Sequence, residues 1–351
     1  MDAVSRAVES FYGLTTAWGI PWLIPALVIM TIVVSIILGY ISVAAMFLIW
    51  WERKISAHIQ VRFGPMRVGG WHGWAQSIAD GLKLLLKEDI IPSRADKVVF
   101  VLAPVVVFAA ALAGYVTIPF GPGLIVRDLN IGILYMVAIS SLTVVGIVMA
   151  GWSSNNKYAT LGALRSAAQA VSYEVPLVLS LLGPVILAGT MSMGRLVDAQ
   201  GGTWLGFLPR WYVFPQIVGF LVYFTCALAE CNRLPFDIPE AESELVAGFH
   251  VEYSGMRFAI FFLAEYANMF AVAAIATTMF LGGWQGPLTT QLPLIGVLWF
   301  LLKCYFLIFV MMWLRWTLNR LRVDQLMDFA WKVLLPIAFA NLVITSLVVA
   351  L

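Results

Sequence analysis

The feature that most constrains this chain is a series of apolar runs, each about as long as the roughly 20 residues a helix needs to cross a bilayer. Eight such runs fall at about 22–50, 98–120, 131–151, 161–189, 211–230, 255–281, 293–314 and 329–350, bounded by proline, glycine or charge, as at Pro21, Pro92 and Gly282-Gly283. Over the 351 residues only 11% are charged, against about 25% in soluble domains. Hydrophobic residues make up 62% and the mean hydropathy is +0.92. A soluble fold has no way to cover so much apolar surface. The expected class is an all-α polytopic membrane protein with eight transmembrane helices and an amphipathic surface helix. It forms a single membrane domain over 1–351. No cleaved leader is expected, because Asp2, Arg6 and Glu9 precede a first run too long for a signal peptide.

The distribution of Lys and Arg sets the expected orientation. Residues 51–97 hold eight, the third-to-fourth and fifth-to-sixth connections hold two each, and the last connection holds four. The opposite side has Arg6, Arg127, Arg195 and Arg210. The positive-inside rule then places both termini outside and the charged loops in the cytoplasm of a bacterial inner membrane. A net charge of +2 gives no reason to expect nucleic acid. Cys226, Cys231 and Cys304 form no CxxC, and His58, His72 and His250 form no HxxxH. Neither a disulfide set nor a metal site is expected. No Walker loop or GxGxxG is present, so no redox centre is expected on this chain.

Two loops carry the polar mass. In the first, 52–97, residues 71–88 place Trp71, Trp74, Ile78, Leu82 and Leu85 at helical spacing opposite Gln76, Asp80, Lys83 and Lys87. Such a helix lies in the membrane surface or roofs a cavity between membrane and partner. The second loop, 230–256, is acidic. With its flanks, 229–269, it contains Glu230, Asp237, Glu240, Glu242, Glu244, Glu252 and Glu265 against Arg233 and Arg257 alone. A first helical turn after Pro239 accounts for Glu240 and Glu242 through the helix dipole, but not for the deeper acids. Carboxylates so close to apolar spans suit proton transfer. Glu174 lies mid-span beside Pro176, which is expected to kink the helix. It serves function or pairs with a cation, and Lys303 in span seven is one such candidate.

Several motifs together resemble a known family: WERKISAHIQVRFGP with IADGLKLLLKE, then RSAAQAVSYEVP, then AECNRLPFDIPEAESELVAGFHVEYSG with AEYANM, and RLRVDQLMDFAWKVLLP. They run from residue 51 to 336 and resemble the H subunit of proton-pumping NADH:quinone oxidoreductase, respiratory complex I, called subunit 1 in mitochondria. The resemblance implies a component of a translocating enzyme that forms much of the quinone chamber. Glu52, Arg53, Arg62, Asp80, Arg233 and Asp237 fall on chamber positions. Glu240, Glu242, Glu244 and Glu252 match the loop acids, and Glu174, Glu230 and Glu265 match buried acids leading sideways. Arg315, Arg320, Arg322 and Asp324 match a last loop that docks beneath the peripheral arm. Quinone is then a substrate, this chain binds no cofactor, and flavin and iron–sulfur clusters reside in partner subunits. The implied partners are peripheral-arm iron–sulfur and quinone-site subunits and small and antiporter-like membrane subunits.

The chain departs from the pattern at Cys231, where the family has threonine, and span three carries no acid between Gly132 and Gly151. Three other readings compete. A hydrogenase-linked relative would not need the long chamber. A stand-alone transporter predicts internal repeats and broken helices. A structural anchor has no use for Glu174 or Glu265 inside spans.

Overall fold

The computed structural model describes residues 10, 23–204, 208–239, 241–289 and 292–351. Among them seven helices are long and apolar enough to cross a membrane. Helix α1 (Leu23–Ile59) leads to a short amphipathic helix α2 (Gln76–Leu86), followed by α3 (Lys97–Gly114), α4 (Gly132–Ser153) and α5 (Lys157–Ala188). A single short helix α6 (Met193–Ala199) precedes α7 (Ile217–Glu230), and one turn, α8 (Glu242–Leu245), precedes α9 (Gly255–Phe280). The chain closes with α10 (Pro293–Thr317), α11 (Val323–Asp328), a π-helical segment Phe329–Leu334 and α12 (Leu335–Ala350), the last three forming one continuous span. Among the described residues the only extended pairings are Thr203–Trp204 against Leu208–Pro209, antiparallel, and an isolated bridge between Gly121 and Leu124.

The helix expected at 211–230 begins later and has only 14 residues. Pro215 explains the delay: it has no N–H to donate and disfavours helix in the residue before it. At 1.5 Å per residue α7 is about 21 Å long, short of a roughly 30 Å hydrocarbon layer. Its two ends fix its level against the long α5. Gly183 of α5 abuts Gln216 at the start of α7, and Gln169 Nε2 donates to Ala229 O at its end, 2.8 Å away. Beyond Gln169, α5 continues twelve residues towards Lys157 with no α7 beside it. The polar segment 231–254 fills that place.

Its fit is close. A Cβ added to Gly162 of α5 would lie 2.8 Å from Gly248 Cα and 2.9 Å from Phe249 N. Only two facing glycines let the backbones approach so far. Irregular backbone at this depth is tolerable because protein surrounds it and satisfies its polar groups. Gln169 Nε2 also donates to Phe236 O at 2.8 Å, so one side chain ties both ends of the first turn to α5. The acidic segment is therefore mostly non-helical; Val246 and Gly248, both with positive φ, end α8 after one turn.

α5 and α9 are the central helices. α5 packs on α4, α7 and α12, and α9 on α1, α3 and α10. α1 and α12 are peripheral and turn residues such as Met30, Ile36 and Val348 outward. α5 runs unbroken through Pro176 and Pro184. Gly162→Val is expected to force the two backbones apart at a cost of about 1–3 kcal/mol. The assembled complex, quantified on native gels, should fall in amount while Gly39→Ala, a site with open space around it, leaves it unchanged.

Candidate functional site

A knot of four charges joins segments far apart in sequence. Glu52 on α1 is 5% exposed and Arg233 is 3% exposed. Arg233 Nη1 donates to both Glu52 oxygens at 3.0 Å, across 181 residues. Tyr266 Oη on α9 donates to Glu52 Oε2 at 2.7 Å, and Arg315 at the end of α10 also donates to Glu52. Arg233 Nε lies 2.9 Å from Glu265 Oε1, and its guanidinium stacks on the Tyr266 ring at 4.7 Å. Two carboxylates and two guanidiniums balance, which is what permits the burial of Glu52 and Arg233, with Glu265 and Arg315 half-buried beside them.

Local backbone explains how Arg233 arrives there. α7 ends with Asn232 in the left-handed region at φ 49°, and Arg233 N donates to Leu228 O at 3.1 Å. This is the helix-ending turn that asparagine, after glycine, adopts most readily. It folds the chain back on α7 and directs Arg233 inwards.

Beside the knot is a cavity of about 710 Å³ between α1, α2 and α9, within the usual range for ligand pockets. Its walls are mostly apolar, with Met46, Ile49, Leu85 and Phe262 among them. Its polar groups include Glu52, Arg53, Asp80, Tyr266 and Arg315. α2 is pinned over it by Ser77 Oγ donating to Met46 O at 2.8 Å, and by Arg53 paired with Asp80 at 2.6 Å. Of the two uses open to the amphipathic helix, it at least lines a cavity.

On the other side of the knot three half-buried acids, Glu265, Glu230 and Glu174, line a series of small cavities. A small cavity of about 40 Å³ is lined by Glu265, Asn268, His250, Thr143 and Glu230. A second, about 30 Å³, is lined by Glu230, Thr143, Ser140 and Glu174. A third, about 40 Å³, touches Glu230, Ser140 and Asn268. Each has room for a water molecule or two. His250 packs against the rings of Phe249, Phe258 and Phe262, and burial pushes its imidazole down to about 4. It is neutral at pH 7. Burial likewise pushes the Cys231 thiol up, so it stays uncharged between Glu230 and Glu265.

The remaining expected residues divide. Asp237 pairs with Arg320 at 2.9 Å; burial raises its carboxyl above the usual range despite that cation. Glu244 pairs with Arg165 at 2.6 Å, and Glu252 accepts from Asn156 Nδ2 at 2.6 Å. Arg62 stands apart from the cavity and donates to Gln60 at 2.7 Å. Arg322 and Asp324 are exposed at the start of α11, whereas Arg315, grouped with them in sequence, reaches back to Glu52. Glu240 and the side chain of Glu242 lie outside the described residues.

Lys303 is not a partner for Glu174. Its ammonium donates to the carbonyls of Leu281, Gly283 and Gln285 at 2.6–3.0 Å and lies over Trp211 at 4.3 Å. It caps the end of α9, where carbonyls lack helical partners. Tyr266, Ser140 and Thr143 were not singled out in sequence. Tyr266 carried one usable signal, its place next to Glu265 in AEYANM. The three cysteines are free and buried, and no group able to hold a metal occurs among the described residues.

Comparison with known proteins decides the family. The NADH dehydrogenase family matches residues 29–346. The H subunit of NADH-quinone oxidoreductase from Dehalococcoides mccartyi strain CBDB1 is 54% identical over 311 residues, 89% of this chain and 84% of its own. The chain belongs to the family of NADH-quinone oxidoreductase H subunits. The H subunit of Brevibacillus brevis is 49% identical over 336 residues, covering 95% of each chain, and that of Chlorobaculum tepidum is 51% identical over 332 residues, 91% of this chain and 92% of its own. The H subunit is one component of a membrane-bound enzyme complex, so partner subunits are part of its working state.

Two outcomes follow for the site. Arg233→Gln leaves Glu52 and Glu265 buried without their shared cation and should cost about 3–5 kcal/mol. Its check is the thermal midpoint of the purified complex, which should drop steeply, while Arg62→Gln should leave it in place. For His250 the folded form binds its proton only below about 4, the unfolded form near 6.5. Stability is therefore lost as pH falls from about 6.5 towards 4, by up to ~3 kcal/mol. The half-life of the complex at fixed temperature should shorten between pH 7 and 5, and His250→Phe should reduce that dependence.

Proposed function

We propose that this chain forms the quinone-reduction chamber and carries the first acids of a lateral proton pathway in a bacterial NADH:quinone oxidoreductase. The observation that carries the reading is that one buried charge knot borders both the large apolar cavity and the file of acids. Glu52, Tyr266 and Arg315 face the cavity, Glu52 shares Arg233 with Glu265, and Glu265 lines the first of the small cavities.

The cavity suits an isoprenoid quinone, with an apolar wall for the tail and charged groups beyond it for the ring. Glu52, Arg53 and Asp80 line that chamber directly. Arg233 and Asp237 act behind it, Arg233 through Glu52 and Asp237 through Arg320. Arg62 belongs to the loop beside it. Reduction places negative charge near the knot. Two unit charges about 4 Å apart interact by about 4 kcal/mol at an effective dielectric near 20. That is enough to change which carboxylate beyond the knot holds a proton. Glu265, Glu230 and Glu174 pass the change sideways, and Glu240, Glu242, Glu244 and Glu252 supply protons from the inner side.

In this reading α7 is the eighth crossing, and segment 231–254 closes its inner end. Both termini then lie outside, and the loops 52–97 and 230–256 face the cytoplasm beneath the inner membrane. Arg320, Arg322 and Asp324 dock the peripheral arm, whose subunits carry flavin and iron–sulfur clusters. Small and antiporter-like subunits pack laterally, and this chain itself holds no cofactor.

The test uses the complex in sealed vesicles, with NADH:quinone reduction and proton translocation followed together. Ala45→Trp, at a buried wall position of the cavity, should raise the quinone KM at least about tenfold, since a pocket rejects a side chain it has no room for. Glu230→Gln should abolish translocation. Wild-type quinone KM in the first variant, or full pumping in the second, would overturn the corresponding half of the reading. Full pumping in the Glu240→Gln, Glu242→Gln double variant would remove those two acids from it.

A further inference from the structure

We infer that α4, which carries no acid, contributes the hydroxyls of Ser140 and Thr143 as proton-passing groups between Glu265, Glu230 and Glu174. The inference rests on the lateral pathway proposed above and fills its gaps.

The argument starts from what lies between the carboxylates. Glu230 lines all three small cavities, Glu265 one of them and Glu174 another. Thr143 lines both the cavity it shares with Glu265 and Glu230 and the cavity shared by Glu230 and Glu174. Ser140, one helical turn earlier on the same face, lines the second and third. α4 thus presents Thr143 to the step between Glu265 and Glu230, and both Thr143 and Ser140 to the step between Glu230 and Glu174. Thr143 is buried and Ser140 half-buried; Ser141 between them also lines the cavity shared with Glu174 but touches neither of the other two.

The chemistry asks for this residue type. A hydroxyl is one donor with two acceptor lone pairs and a rotatable hydrogen. At rest Ser140 Oγ donates to Val137 O at 2.9 Å and Thr143 Oγ1 to Ser140 O at 2.7 Å. The helix carbonyls thus hold both hydroxyls at the cavity walls, and the Ser140 hydroxyl is also within hydrogen-bonding reach of the Glu230 carboxyl. When a protonated carboxyl or a water in the cavity gives a proton to such an oxygen, the hydroxyl releases its own hydrogen to the next acceptor. The hydroxyl is regenerated, one carboxyl has lost a proton, the next has gained it, and no group is oxidised or reduced. Valine or alanine at these positions keeps the helix and removes the passing group. Isolated serines and threonines in spans commonly serve only to satisfy their own helix, and that alternative predicts no change in proton movement.

The test compares Ser140→Ala, Thr143→Val and Thr143→Ser in the assembled complex in sealed vesicles, with rates normalised to bound flavin. Ser140→Ala deletes one oxygen and keeps a strong helix former, so it is the variant least able to disturb assembly. Expected are at least about tenfold slower proton translocation in Thr143→Val and in Ser140→Ala, an enlarged solvent deuterium isotope effect, and recovery in Thr143→Ser. The loss should stay below the ~10²–10⁴-fold that a positioned proton-transfer group contributes, because water still fills the cavities. Unchanged translocation and isotope effect in Ser140→Ala and Thr143→Val, with Glu230→Gln inactive in pumping, would overturn the hydroxyl assignment alone. Full pumping in Glu230→Gln would remove the pathway beneath it.

Discussion

The charge arrangement at the centre of this chain depends on burying Glu52 without leaving its charge unanswered. An isolated carboxylate in an apolar bundle costs many kcal/mol. Here Arg233, Arg315 and Tyr266 converge on it from three other segments. Because Arg233 also faces Glu265, the same contact that makes Glu52 tolerable ties the wall of the large cavity to the acids behind it. Packing and electrostatics are thus one arrangement. The helix-ending turn at Asn232 delivers the arginine, and the glycine contact at Gly162 lets the polar segment lie deep enough to hold it.

The short α7 is the structural counterpart of that requirement. A full-length helix there would present apolar side chains where Arg233, Asp237 and Cys231 now sit. Ending the helix at Glu230 brings irregular backbone into the bundle, and Gln169 answers one carbonyl of the last helical turn, Ala229 O, and one of the irregular segment, Phe236 O. Such backbone is admissible only where protein surrounds it. The acidic character of the segment follows a similar logic. Its described acids each meet a donor from another element, as Glu252 meets Asn156 and Glu244 meets Arg165.

Much of this was legible in the sequence, for a physical reason. Apolar runs of span length and helical spacing are local signals, and they located seven long helices and the amphipathic helix over the cavity. The residue types of the site were legible too, since acids inside apolar runs stand out. Their partners were not. Glu52 and Arg233 are 181 residues apart, and nothing in either neighbourhood names the other. Lys303 shows the same limit from the other side: a lone cation in a span suggests an acid, yet it caps three carbonyls. The length of α7 was misread because its apolar run continues past Pro215, where helix geometry does not. Ser140 and Thr143 gave no signal, since hydroxyls are ordinary within spans.

The central claim is that the charge knot connects the quinone cavity to the buried acids. The measurement that addresses it most directly is the reduction-induced infrared difference spectrum of the complex, read in the protonated-carboxyl region, for the wild-type complex and for Glu265→Gln. The account predicts a carboxyl band that appears when quinone is reduced and is lost or displaced in the variant. An identical difference spectrum in the two, with quinone reduction intact, would contradict it.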